Sequence, residues 1–292
     1  MALDMNGVLQ IRALGRDEMT LPLDWAAREG WNPGLHDADR FLAADAGGFL
    51  VGELAGEAIG TISAVRYGAA FGFIGFYIVR PDVRGRGYGI QLWRAAMERL
   101  AGRNVGLDGV VAQQANYAKS GFRLAHRNVR YQGSVDAARA VLSNARLRCE
   151  IVPVGDVALS DIAAYDRTVF PASREEFLAA WLPQLQAGAW AAVDANGVCG
   201  FVVVRPCREG WKIGPLAADD LDVARRLYAA AAQHAGEGAT LFLDVPEPNR
   251  TALQLASELR MSPVFETARM YTGAAPRVEL QKLFGVTSFE LG

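Results

Sequence analysis

The stretch 78-IVRPDVRGRGYGIQLW-93 places three glycines and three arginines between an apolar run and a segment of helical spacing. The apolar run, stopped by Pro81, reads as the end of a strand, because proline cannot donate to a strand ladder. Beyond the glycines, Ile90, Trp93, Met97 and Leu100 recur at helical spacing, and Gly102 follows the last of them. The order is therefore strand, glycine turn, helix. The first turn of a helix presents backbone N–H groups without intrahelical partners and a partial positive charge. Glycines adopt positive φ and let a ligand approach the backbone closely. Together these features make a nest for phosphate or pyrophosphate.

Spacing narrows the choice of ligand. The nucleotide P-loop requires G-x-x-x-x-G-K-[ST], and no Lys-Ser/Thr pair follows this turn. The dinucleotide fingerprint requires G-x-G-x-x-G, whereas Gly85, Gly87 and Gly89 give G-x-G-x-G. What fits is R-x-x-G-x-G, from Arg84 through Gly87 to Gly89, with Tyr117-x-x-x-Gly121-Phe122 downstream. In these elements the chain resembles the GNAT superfamily of acyl-CoA-dependent N-acyltransferases. The resemblance implies acetyl-CoA as co-substrate. Backbone groups at Ile78 and Val79 would pair with the pantetheine arm, with Asn116 close to it. The backbone N–H groups of Arg84, Gly85, Arg86, Gly87, Tyr88 and Gly89 would hold the pyrophosphate. Tyr117 matches the tyrosine that sits near the CoA sulfur. A thiol has a pKa of roughly 8.5 and a tyrosine of roughly 10, so a phenol can hydrogen-bond to and protonate a leaving thiolate.

The attacking amine must also lose a proton. Many GNAT enzymes carry a Glu on the strand before the glycine turn, but here that strand, 71-FGFIGFYIV-79, holds no carboxylate. Asp108, on the next strand, is the candidate base, with Glu53, His36 and His126 as other possibilities and a water chain as a route needing no dedicated side chain. The segment 29-EGWNPGLHDADRF-41 lies where the family places its substrate-covering segment, which makes Trp31 and His36 candidate acceptor-binding residues. His36 with Asp37 and Asp39 is a weak metal pattern that helix capping explains, so no metal is expected.

Outward from the turn, strands and helices mix, which indicates an α/β (α+β) fold built on a mostly antiparallel mixed sheet flanked by helices. The second half repeats the order. Residues 188-GAWAAVDANGVCGFVVVRP-206 parallel 47-GGFLVGELAGEAIGTISAVRYG-68, Ile213-Gly214 parallels Ile74-Gly75, and 261-MSPVFETARMYTG-273 parallels 121-GFRLAHRNVRYQG-133. We read a degenerate internal duplication. A catalytic domain is expected over 1–134, a helical linker over 135–148 and a degenerate GNAT-like domain over 149–292. Where the first copy has 80-RPDVRGRGYG-89, the second has 217-AADDLDVARR-226, whose acids would repel phosphate. One CoA site is therefore expected, with the second half completing the acceptor pocket. Asp244, with Glu247 and Asn249 nearby, is a candidate for attracting a cationic acceptor. The tail, 283-LFGVTSFELG-292, is apolar enough to dock as a strand.

Composition sets the outer limits. The chain has 292 residues, 51% hydrophobic and 21% charged, with a formal net charge of −2, so no basic field points to nucleic acid or to a membrane surface. Its three cysteines, Cys149, Cys199 and Cys207, form no Cys-x-x-Cys pair and fit a reducing cytoplasm. The expected protein is a cytoplasmic monomer or homodimer that acetylates a small amine such as an amino acid or polyamine. The competing expectation is a non-catalytic acyl-CoA-binding sensor, to which the missing strand carboxylate lends support.

Overall fold

The computed structural model describes residues 8–136 and 149–292. From residue 137 onward, the expected helical linker falls outside the described residues. In the first half, β1 (Gln10–Ala13) leads through α1 (Thr20–Arg28) and α2 (Asp37–Ala44) into an antiparallel meander of β2 (Phe49–Leu54), β3 (Glu57–Tyr67) and β4 (Phe71–Val79). Helix α3 (Tyr88–Arg99) then crosses over to β5 (Asn104–Val110), which runs parallel to β4. Short α4 (Gln114–Lys119) leads into β6 (Arg123–Ser134).

The second half repeats this order with β7 (Glu150–Pro153), α5 (Leu159–Val169), α6 (Glu175–Trp181), β8 (Gly188–Asp194), β9 (Gly197–Pro206) and β10 (Trp211–Ala218). Helix α7 (Leu221–Ala235) crosses to the parallel strand β11 (Thr240–Pro246), followed by α8 (Arg250–Glu258) and β12 (Ser262–Tyr271). The duplication read in the sequence is thus present as a repeat of elements.

Helix α3 packs on the sheet through Leu92, Trp93, Ala96 and Leu100. Leu92 fits a notch that exists because Gly52 and Gly60 lack side chains; a Cβ at Gly52 would lie 3.2 Å from Leu92. This docking turns Ile90, expected in the apolar stripe, out to 45% exposure at the start of the helix.

The sequence pattern did not reveal how the halves join. The strand order is β1-β2-β3-β4-β5-β12-β6-β11-β10-β9-β8-β7, so each half gives its last strand to the other. β12 inserts between β5 and β6, and β6 pairs in turn with β11. Two buried ion pairs bridge the exchange. Asp108 on β5 faces Arg269 on β12, with Arg269 Nη2 donating to Asp108 Oδ2 at 2.6 Å and Nε to Oδ1 at 2.9 Å. Asp244 on β11 faces Arg130 on β6 and accepts from its Nε and Nη2 at 2.6 and 2.7 Å. Both aspartates are the fifth residue of their strands, in the sequences NVGLDGV and TLFLDVP.

The segment after β12 closes the junction. Strand β13 (Leu283–Gly285) pairs with β10, and Val286 N–H donates to Asp244 O at 2.9 Å, so the segment lies between β10 and β11 where the two splay apart. Residues 286–292 continue as irregular, buried chain, so the expected strand is confined to three residues. A Cβ at Gly214 would collide with Thr287 O, and one at Gly75 would lie 2.9 Å from the Glu290 Cα. The paired Ile-Gly steps of the repeat are thus the two places where this segment crosses the sheet.

Removing one partner of a buried pair leaves an uncompensated charge, at a cost of about 3–5 kcal/mol. Asp244, whose side chain is 0% exposed, should show this cost in full. Asp244→Asn should lower the urea midpoint accordingly, and an unchanged midpoint would remove the pair from the forces joining the halves.

Candidate active site

β4 and β5 run in register from Phe71↔Asn104 to Ile74↔Leu107 and then separate. Two local features open the gap. Phe76 sits at φ 46°, a conformation rare for a side chain with a ring, and the β3–β4 register shifts between Thr61 and Ser63. The Thr61 hydroxyl pins this bulge by donating to Phe76 O at 2.9 Å. Beyond the bulge, β4 has no strand neighbour on the β5 side, and a cavity of about 740 Å³ occupies the gap. Its walls come from β4 (Gly75 to Val79), the glycine turn, β5 (Leu107 to Val110), α4 and the second half.

At one end lies the turn. Gly85 and Gly87 have φ of 77° and 85°, and a Cβ on either would meet nothing within 4 Å. Gly87 is the N-cap of α3 and offers no side-chain hydrogen bond to its first N–H groups. Gly89 is required for another reason: a Cβ there would lie 2.7 Å from the Tyr77 hydroxyl. Arg84 braces the turn, donating through Nε to Val79 O at 2.7 Å and through Nη2 to Glu29 at 2.5 Å. The turn therefore has open space, a helix start with no side-chain cap among the described residues, and local positive charge, which suit a pyrophosphate. The second copy differs at each point. Asp220 caps α7 by accepting from Val223 N–H at 2.9 Å, and β13 fills the neighbouring splay.

Ile78, Val79, Arg84, Gly85, Gly89, Asn116 and Tyr117 all line the cavity, whereas Arg86, Gly87 and Tyr88 complete the turn without lining it. Asn116 is held by Gln113, to which its Nδ2 donates at 2.7 Å. Tyr117 stacks beside Trp93 with ring centroids 5.6 Å apart, and Gly109 makes room for it, since a Cβ there would sit 2.7 Å from its Cδ2. Burial pushes the Tyr117 phenol up to about 12, with Tyr77 adding to the shift, so it stays protonated at neutral pH. Its hydroxyl makes no hydrogen bond among the described residues.

The remaining candidates are dispersed. Asp108 lines the cavity, but its Oδ1 already accepts from Arg269 and Asn128, the latter at 2.8 Å, and its Oδ2 from Arg269. A carboxylate so committed has few lone pairs left for an incoming ammonium. Trp31 lines the cavity, and its carbonyl accepts from Arg130 at 2.8 Å, which fixes its segment to the exchanged strand. His36 lies outside the lining, 3.2 Å from Gln186, and Asp244 is buried in its ion pair. Glu53 pairs with Arg12 at 2.5 Å. His126 is pushed down to about 4, first by burial and then by Arg269, and it too lies off the cavity. Among the described residues no cluster of three or more His, Cys, Asp or Glu is arranged for a metal, and no helix is long and apolar enough to cross a membrane.

Sequence reasoning expected the second half to complete the pocket but did not name the residues that line it. Phe265 and Thr267 from β12, with Phe289 and Glu290 from the final segment, wall the end of the cavity opposite the turn. The repeated Ile-Gly step was the visible signal, because a glycine in a central strand marks close approach of another backbone.

Comparison with known proteins agrees with this geometry. Residues 17–122 match a family described as Acetyltransferase (GNAT) family, and residues 162–285 match one described as Acetyltransferase (GNAT) domain. The chain is 29% identical over 280 residues to the holothin acyltransferase of Pseudoalteromonas sp. (strain SANK 73390), covering 94% of this chain and 92% of that protein. Its fold resembles that of a proposed acetyltransferase from Pyrococcus horikoshii, with a TM-score of 0.79, 23% identity and coverage of 100% and 98%. It also resembles a tandem GNAT protein from the clavulanic acid biosynthesis pathway, with a TM-score of 0.62, 14% identity and coverage of 92% and 100%.

The turn itself can be tested directly. Valine at position 87 would be strained at φ 85° and would distort the nest. Gly87→Val should weaken CoA binding at least ~10-fold in a calorimetric titration, and unchanged affinity would separate the turn from the cofactor. With two GNAT matches along one sequence, a mixed sheet shared by two repeats and one open splay, the chain belongs to the GNAT superfamily as a tandem acyltransferase.

Proposed function

We propose that this protein transfers the acetyl group of acetyl-CoA directly to the primary amine of a small molecule, such as an amino acid or polyamine. The observation that carries this reading is the wall that the second half contributes to the cavity. Phe265 and Phe289 of the second half line the cavity together with Trp31 of the first, where a peptide acceptor would need an open groove. A tandem form with one open splay also suits a single donor site.

Acetyl-CoA supplies the acetyl group as an activated thioester. The residues of the chain would bind, orient and move protons around it. The N–H groups of the turn from Arg84 to Gly89 hold the pyrophosphate, and the free edge of β4 at Ile78 and Val79 receives the pantetheine amides, beside Asn116. Tyr117, protonated and hydrogen-bonded to no described residue, donates to the sulfur as it leaves. Asp108 contributes by fixing β12, and with it Thr267 and Phe265, to the cavity wall.

Thiol release from acetyl-CoA in the presence of a panel of primary amines tests the reading. Tyr117→Phe should lower kcat by ~10²-fold with little change in acetyl-CoA affinity. Because the phenol lies near 12, wild-type activity should show no loss between pH 7 and 10 that the phenylalanine variant lacks. Full activity in Tyr117→Phe would remove the acid role.

A further inference from the structure

We propose that Glu290 is the group that receives the acceptor's ammonium and takes its proton. This rests on the amine-acetylating reading above and names the base that the sequence of β4 lacks. Four observations lead to it. Glu290 is 3% exposed and lines the cavity beside Phe289, Thr267 and Asp108, at the end away from the glycine turn. Among the described residues, no hydrogen bond or ion pair engages its carboxylate. Its backbone lies against Gly75, the residue immediately before the bulge at Phe76, where a Cβ would be 2.9 Å from the Glu290 Cα. β4 carries no carboxylate of its own, and at Gly75 it gives up a side chain so that the Glu290 backbone can cross beside it.

The surrounding charges are all placed. Arg130 on β6, Arg205 on β9 and Lys212 on β10 face Glu290 electrostatically. Arg130 is paired with Asp244, Arg205 with Asp37 at 2.9 Å, and Lys212 donates to Asn32 O at 2.8 Å. Cys207 lies in the same cluster with its thiol raised by burial. Asp244 and Asp37 are therefore committed, Arg205 keeps its Nη1 without a partner among the described residues, and Glu290 is the carboxylate of this cluster with no hydrogen bond to a described residue. A carboxylate in the cavity lining with no hydrogen-bond partner among the described residues is open to a charged ligand. A primary ammonium supplies both donors and charge, and Trp31, Phe265 and Phe289 suit an acceptor with an apolar body.

The chemistry balances. The ammonium gives one proton to Glu290. The freed nitrogen lone pair forms a C–N bond with the thioester carbonyl carbon, the C–S bond breaks, and the sulfur takes the electron pair and the Tyr117 proton. The second proton leaving nitrogen restores Tyr117, and Glu290 releases its own to solvent.

Glu290→Gln keeps the shape and removes the basicity. Alkyl primary amines, protonated at neutral pH, should lose ~10²-fold or more in kcat/KM at pH 7. The deficit should narrow as pH rises and free amine accumulates. A weakly basic aromatic amine, already neutral at that pH, should lose only a few-fold. Calorimetric binding of the alkyl ammonium should weaken at least tenfold while acetyl-CoA affinity stays constant, and Glu290→Asp should recover part of the loss. If the deficit is equal for both amines at every pH, or absent, Glu290 is only a counter-ion to its cationic neighbours and the inference falls. If instead the wild-type protein acetylates no primary amine, the functional reading itself falls, and this inference with it.

Discussion

Two aspartates, each buried in the middle of a strand, govern how this chain assembles. Asp108 and Asp244 occupy the same position in equivalent strands of the repeat, and each is met by an arginine from the strand that the other half lends. Burying a carboxylate is unfavourable unless it is paired and hydrogen-bonded. Each half therefore carries a charge that only its partner can neutralise. Hydrophobic burial alone would accept several registers for an exchanged strand, but a slip of one residue would turn each arginine to the opposite face. The ion pairs add a penalty for wrong pairing, and this specificity follows from their burial more than from any net attraction.

That exchange has consequences for the cavity. β12 is both the neighbour of β5 and the source of Phe265 and Thr267, so this wall of the cavity exists only when the halves are correctly joined. The chain then folds back through β13 into the second splay and crosses towards the first, using Gly214 and Gly75 as its two points of passage. One segment thus fills the second splay and lines the cavity at the first. The loss of the glycine turn in the second copy and the filling of its splay are two sides of the same change: a site that binds no phosphate can be given over to packing.

Much of the first half was legible in the sequence because its signals are local. The turn from Arg84 to Gly89 declares itself by glycines whose φ is positive, and Tyr117 by its spacing from Gly121 and Phe122. The partnership of β6 and β12 was not legible, since an alternating or apolar pattern identifies a strand without naming its neighbour. Asp244 illustrates the limit. A carboxylate beside two prolines reads equally as a turn residue or as a lure for cations, and only Arg130, distant in sequence, turns it into a core ion pair. Glu290 was hidden for the same reason: nothing in a polar residue near the last position of an apolar tail announces that it arrives beside Gly75.

The distribution of carboxylates resolves what the bare strand β4 first suggested. An acyltransferase whose usual strand lacks an acid reads, from that strand alone, as one without a base. Yet three acids from outside it line the cavity, Glu29, Asp108 and Glu290, and they differ in what they have left to offer; Glu29 is paired with Arg84. Asp108 spends its oxygens on Arg269, Asn128 and Thr267, so its work is to hold the wall. Glu290 spends none on a described residue, and its cationic neighbours already have partners or acceptors of their own. A fold that commits four other buried acids, Asp37, Asp108, Asp166 and Asp244, to arginines has little reason to leave Glu290 without such a partner except to meet a charge from outside.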